Sequence, residues 1–283
     1  MSREVVASML SDAWIPPMAL VRQNFPRPRV EDVPARVREL LSRPDIAAAV
    51  KPGMEIAVTC GSRGIANLRF IMREVCCCLR ELGARPFLVP AMGSHGGATA
   101  EGQRAIIESY GVTEEFCGVP IRSSMEVQYI GDTEDGRPVY IDRNAAGADG
   151  IVLVNRIKAH TDFRGPYESG LMKMMVIGLG KQRGAENFHQ EGPARMGHNI
   201  PIFGRAILRH APVLFGLGVL ENAYDETARI EVLHRSEIIE KEPLLLKEAK
   251  DLMARCYIQD VDLLIVDRIG KDISGDGMDP NIT

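Results

Sequence analysis

Aromatic side chains are scarce: phenylalanine, tyrosine and tryptophan make up 5% of the chain, with a single tryptophan. A core with so few rings must be filled by aliphatic residues and by methionine, of which there are 13. Net positive charge is also lacking. The 34 Lys and Arg against 38 Asp and Glu leave a formal net charge of -4, and no basic stripe stands out. A mainly electrostatic partner, whether nucleic acid or an anionic membrane, is therefore not expected. No apolar run approaches the length of a membrane span, and MSREVVASML lacks the basic-then-apolar pattern of a signal peptide. Six cysteines are present, three of them adjacent (Cys76, Cys77 and Cys78), but there is no CxxC pair. Neither a zinc site nor a disulfide framework is indicated, and reduced thiols in a cytoplasmic protein are the expectation.

What the chain does have is alternation. Met1 to Pro28 reads as an irregular arm, and Val30 to Val50 as helix interrupted at Pro34 and Pro44. Then MEIAVTC (54–60) reads as a strand running into GSRG, followed by the helical NLRFIMREVCCCLREL. PFLVPAM (86–92) is a second strand running into GSHGGAT and the helical AEGQRAIIESYG. MEVQYIGDTEDGRPVYID reads as a hairpin turning near Asp135 and Gly136. GIVLVNRI (150–157) is the next apolar strand. A helix around Ile202 to His210, strands near VLFGLGVL and RIEVLH, and a long helix ending near Cys256 complete the pattern. Strand, glycine-rich loop and helix in turn predict an α/β fold: a largely parallel sheet with flanking helices, its site in loops at the strand C-terminal ends. VDLLIVDRIG (261–270) reads as one more strand. The expected division is therefore a cofactor-binding or catalytic domain over 1–255 and the beginning of a second α/β domain, cut short, over 256–283.

Three apolar strands each deliver a polar residue through a short loop: Arg63 in CGSRG, His95 in GSHGG and His160 in IKAHTDF. Singly, each has a plain structural use: a surface arginine, a helix cap, a hydrogen-bonded loop histidine. Together they occupy the edge where an open α/β sheet gathers its site. An arginine fork suits a carboxylate, and histidines from different strands can give or take protons on different sides of a ligand. That set suits inversion of a stereocentre, and equally a lyase or a hydrolase. Lys173 stands beside Met172, Met174 and Met175. It either snorkels to water over the methionines or is a desolvated, nucleophilic amine. His189 and His160 could be metal ligands, although they lack the spacing of a helical HxxxH pair. GSRG and GSHGGAT could cradle a phosphate, but neither is a Walker loop or a GxGxxG fingerprint.

Taken in order, Ser62-Arg63, the GSH of His95, the KAH of His160, the SGLMK of Lys173 and the NFH of His189 resemble the nickel-pincer lactate racemase family, over about Met54 to Gln190. The resemblance implies that Lys173 tethers a nicotinic-acid-derived mononucleotide covalently through a thioamide. Two sulfurs and one carbon of that cofactor bind nickel, and His189 completes the square. His95 and His160 then form the alternating acid/base pair, and Arg63 holds the substrate carboxylate. Lys271, in the loop after the last strand, is a further candidate substrate contact. The implied activity is that of an isomerase: a racemase or epimerase inverting C2 of a 2-hydroxy acid, through hydride transfer to the cofactor. The implied partners are that small acid and the cofactor-building enzymes. Two departures bear on the substrate. Lactate racemases carry an aspartate a few residues before the arginine, where this chain has Cys60, and a more glycine-rich SGG before the lysine, where Leu171 and Met172 intervene. A larger hydroxy acid is as consistent as lactate. Two other classes stay open at this point: a non-catalytic anion- or nucleotide-binding protein, and a metal-dependent hydrolase or lyase using the histidines directly. A chain cut within a second domain is expected to turn over poorly in this form.

Overall fold

The computed structural model describes every residue except 1, 2, 15, 16, 190, 191, 193, 194, 259, 271–273, 275, 276 and 283, and the side chain of His189. The N-terminal arm is not wholly irregular. It holds a short helix, α1 (Arg3–Met9), none of whose residues is buried. Helices α2 (Val33–Leu41) and α3 (Pro44–Ala47) follow. Pro34 does not break α2: it lies in the first turn, where no N–H is needed, behind the Asp32 cap on Ala35 N.

The alternation then unfolds as β1 (Glu55–Cys60), α4 (Leu68–Glu81), β2 (Arg85–Pro90), α5 (Ala100–Ser109) and α6 (Glu114–Cys117). The hairpin β3 (Val127–Asp132) and β4 (Pro138–Asp142) turns through Gly136 at φ 81°, a left-handed conformation that glycine adopts without strain. After α7 (Arg143–Ala146) and β5 (Gly150–Arg156), the chain makes one short turn of helix, α8 (Leu171–Lys173), that runs directly into a π-helix over Met174–Gly178. Then come α9 (Lys181–His189), α10 (Met196–His210), β6 (Val213–Glu221), β7 (Thr227–His234) and α11 (Ile238–Leu252).

The main sheet has the order β2-β1-β5-β6-β7. The first four strands are mutually parallel and β7 is antiparallel to β6. The sheet is buried on both faces because its strands are apolar on both. Ile56, Val58 and Cys60 of β1 join one core cluster with α2 and α4, whereas Ala57 joins the other, with the 171–179 segment, α10 and α11. This is the expected α/β arrangement, a largely parallel sheet with flanking helices.

One predicted strand is absent. Residues 261–270 form no strand, and Leu263 (74% exposed) and Ile265 (80%) face outward. The sequence is β-like, but a strand exists only where its backbone finds a ladder partner, and no described strand pairs with this one. The helix expected near Cys256 ends earlier, at Leu252, and that expected from Ile202 begins at Met196.

The loop after β2 shows how closely this fold seats its glycines. Gly96 (φ +68°) packs onto the first turn of α5, and a Cβ on Gly102 would overlap the Gly96 carbonyl. Gly102→Ala should therefore cost ~1–3 kcal/mol by overpacking, read as a lower urea midpoint. An unchanged midpoint would mean that the loop moves freely and is not fixed by α5.

Candidate active site

Strand order decides which loops meet. β1 lies between β2 and β5, so the loops that leave their C-terminal ends are neighbours at one edge. The chain passes from β1 outward to β2, then crosses back to β5 on the other side of β1. That reversal opens a crevice, and a cavity of about 680 Å³ fills it. Arg63, His95, His160 and Lys173 all line it. The structure thus brings together four of the six residues singled out in the sequence. Lys271 lies outside the described residues. His189 is the last residue of α9, and its side chain is likewise outside them. The cavity-lining residues of α9 are Gln182, Ala185 and Glu186. Position 189 follows on that helical face by the i+3/i+4 rule.

The two histidines are held differently. His95 is exposed, and its Nδ1 lies 2.5 Å from Ser62 Oγ. Ser62 is itself fixed, its carbonyl accepting from Tyr110 Oη at 2.8 Å. His160 accepts at Nδ1 from the backbone N–H of Asp162 (3.1 Å), which puts the proton of its neutral ring on Nε2. Its backbone N–H donates to Glu168 Oε2 (2.8 Å). The His160 ring packs on Phe163 at a centroid distance of 4.3 Å, and Lys173 Nζ lies 5.5 Å from the centroid of that same ring.

Lys173 answers the question raised by its methionine neighbours. Met172, Met174 and Met175 are buried, and the lysine between them is half-buried with its head in the cavity. Its amine has no hydrogen-bond or ion-pair partner among the described residues. Burial above all, then the Lys158 and Arg63 charges, lower its pKa to about 8 against the pull of Asp162 and Glu168. The π-helix that begins at Met174 widens the turn just after it; such bulges recur at functional sites.

Three features were not foreseen. Lys158, two residues before His160, also lines the cavity, and burial followed by the Arg156 charge lowers its pKa. With Arg63 and Lys173 it makes cations outnumber the carboxylates Asp162 and Glu186 on the lining; Arg156 is there too, but paired with Glu221. The KAH spacing held the signal, since residues two apart on an extended segment face the same way. The second feature is Lys181, fully buried at φ 54°. Its Nζ donates to the Pro90 carbonyl and to Gln103 Oε1 (2.9 Å), 3.3 Å from Asp142 Oδ2. Gln103 in turn donates to the carbonyls of Gly93 (2.8 Å) and His95 (3.2 Å). This buried network ties the start of α9 to the His95 loop. The third feature is Cys60: it lies fully buried in the core, not in the cavity, with its thiol pushed up to about 12 by burial. The described residues contain no group of three His, Cys, Asp or Glu side chains placed to hold a metal ion. No helix among them is long and apolar enough to cross a membrane.

A parallel α/β sheet with a cationic, two-histidine cavity at its carboxyl edge defines the class of protein. The particular family follows from comparison. The family model of the lactate racemase N-terminal domain matches residues 15–197, more than half of the chain, and the chain belongs to that family. In structure it is similar to the lactate racemase apoprotein from Thermoanaerobacterium thermosaccharolyticum, with a TM-score of 0.58 and 14% identity. The match covers 82% of this chain and 58% of that one, and at this identity it establishes the fold alone. No curated protein matches the chain in sequence.

The depressed lysine has a measurable consequence. Between pH 8 and about 10.5 the unfolded chain holds the Lys173 proton and the folded chain does not, so the stability linked to this group rises through that window. Below pH 8 the penalty for burying the charge is fully present. Lys173→Met should stabilise the protein at pH 7, on the order of 2–3 kcal/mol, and should abolish that share of the rise. Urea unfolding of both proteins at pH 7 and pH 10 checks it; a variant no more stable at pH 7 would place the ammonium in water.

Proposed function

We propose that this chain is the cofactor-holding part of an isomerase, a racemase or epimerase acting on C2 of a 2-hydroxy acid. The observation that carries the reading is a half-buried lysine amine in the same cavity as two histidines from separate strand ends. A non-catalytic anion-binding protein needs the cationic lining, but it has no use for an amine held close to its deprotonated form. That amine is what covalent attachment requires.

The residues fit the group that the family implies. Lys173 would tether the nickel-pincer nucleotide, and His189, the last residue of α9, would supply the fourth nickel ligand. When bound, that cofactor supplies the acceptor and donor for the substrate's α-hydrogen as hydride. The rest falls to the chain. Arg63 binds and orients the carboxylate through its guanidinium fork. Lys158 holds a second anionic oxygen group. Phe163 offers an apolar face between His160 and Lys173.

The proton steps belong to the histidines. In the tautomer whose Nδ1–H donates to Ser62 Oγ, His95 leaves Nε2 to take the substrate hydroxyl proton. His160 returns a proton from Nε2 to the planar 2-keto acid from the other side; as the acid it is the imidazolium, so its Nδ1 then carries a proton and gives up the Asp162 N–H contact of the resting ring. The reverse reaction exchanges the roles. Cys60 is buried in the core and supplies no carboxylate to the cavity, and a larger 2-hydroxy acid is as consistent with the site as lactate. The reading includes a second structural unit beginning at residue 256 and cofactor-building enzymes as partners.

The test is a panel of enantiopure 2-hydroxy acids offered to the cofactor-loaded protein. At least one should lose optical purity. His95→Gln and His160→Gln should each slow that loss ~10²–10⁴-fold, and Arg63→Lys should raise KM with a smaller effect on kcat. Histidine variants that racemise as fast as the wild type would contradict the assignment.

A further inference from the structure

Helix α11 lies beyond the residues matched by the family model, yet it touches the cavity's two working segments from behind. Its Glu242, 1% exposed, reaches the first turn of α8. Oε2 accepts from Met172 N at 3.0 Å, and the Leu171 N–H also donates to this carboxyl group, which burial pushes up to about 8 against the pull of those two N–H groups. These are the N–H groups that a helix start leaves without an intrahelical acceptor, and Lys173 is the next residue. The same carboxyl group accounts for the glycine before this turn: a Cβ on Gly170 would overlap Glu242 Oε1.

Two further ties run from α11 to the segment between His160 and Lys173. Tyr167 Oη donates to the Ile239 carbonyl at 2.6 Å. Lys250 Nζ lies 2.7 Å from Glu168 Oε1, and Glu168, itself buried, holds the His160 backbone N–H through Oε2. One helix therefore fixes both ends of the segment.

We infer that Glu242 is a positioning residue for Lys173: by capping the turn that carries the lysine, it holds the amine in the cavity. The inference rests on the reading of Lys173 as the attachment point, but its test does not. Without an acceptor, two buried N–H groups must find water, so the turn opens and Lys173 rehydrates. The amine then moves away from Lys158 and Arg63, the charges that disfavour its protonation, and from Asp162 and Glu168, which favour it. Solvation is the largest of these influences, so the net effect is a more basic lysine.

The experiment is competitive labelling of the full chain with acetic anhydride across pH, with the Lys173 peptide quantified by mass spectrometry. The wild-type midpoint is expected at about 8. Glu242→Leu should move it up by about one unit or more, a tenfold loss of free amine at neutral pH. Glu242→Gln, which keeps a carbonyl acceptor, should restore the wild-type midpoint. A folded Glu242→Leu protein with an unmoved midpoint overturns the inference. If that variant does not fold, Tyr167→Phe carries the test: it should shift the midpoint in the same direction by a smaller step, and no shift again overturns the inference. Loading with the family cofactor separates the two readings. A shifted midpoint in a chain that never takes up the cofactor removes the attachment reading and leaves the positioning role standing.

Discussion

The structure depends first on a constraint of parallel pairing. A parallel strand cannot return through a tight turn, so each loop leaves at the same edge and each connection crosses a face of the sheet. With β1 between β2 and β5, three such loops are forced side by side, and the residues at their tips share one space. Arg63, His95 and His160 meet because of that order and not because of their separation in sequence. The apolar strands that make the order possible are buried on both faces, which leaves the loops as the places where polar chemistry can reach solvent.

The second constraint is charge. Arg63, Lys158 and Lys173 converge on a cavity whose walls include buried methionine and partly buried isoleucine side chains. Cations gathered in such a place repel and are poorly solvated, and both lysines respond by becoming less basic. A binding site for anions and a site for an unprotonated amine are thus one arrangement. A bound anion would relieve the repulsion, and an amine that attached a cofactor would lose its charge altogether. The surrounding networks keep this costly cluster in place: Lys181 and Gln103 beneath the His95 loop, Glu168 and Glu242 beneath the segment of His160 and Lys173.

Much of this was legible in the sequence. Apolar runs ending in glycine-rich loops gave the strands and the polar residues at their ends, because a strand buried on both faces leaves no other pattern. The supporting residues were not legible. Lys181 and Glu242 look like ordinary surface charges, one in a glycine-rich turn and the other among helix-forming residues next to Pro243. Only their burial in three dimensions gives them a role. The strand expected at 261–270 failed for the complementary reason: a β-like sequence describes what a segment can do when paired, and pairing is a property of its neighbours. The short helix at Arg3–Met9 escaped notice because it buries nothing, so no apolar stripe is required of it.

The claim at the centre of this account is that Lys173 is a point of covalent attachment. It is tested most directly by expressing the chain together with the family's cofactor-building enzymes, measuring its intact mass, and mapping the peptide that contains Lys173. The account predicts a nickel-bearing mononucleotide adduct on that lysine. An unmodified Lys173, under conditions that load a known lactate racemase, would contradict it and leave a cationic pocket that binds its anion without covalent chemistry.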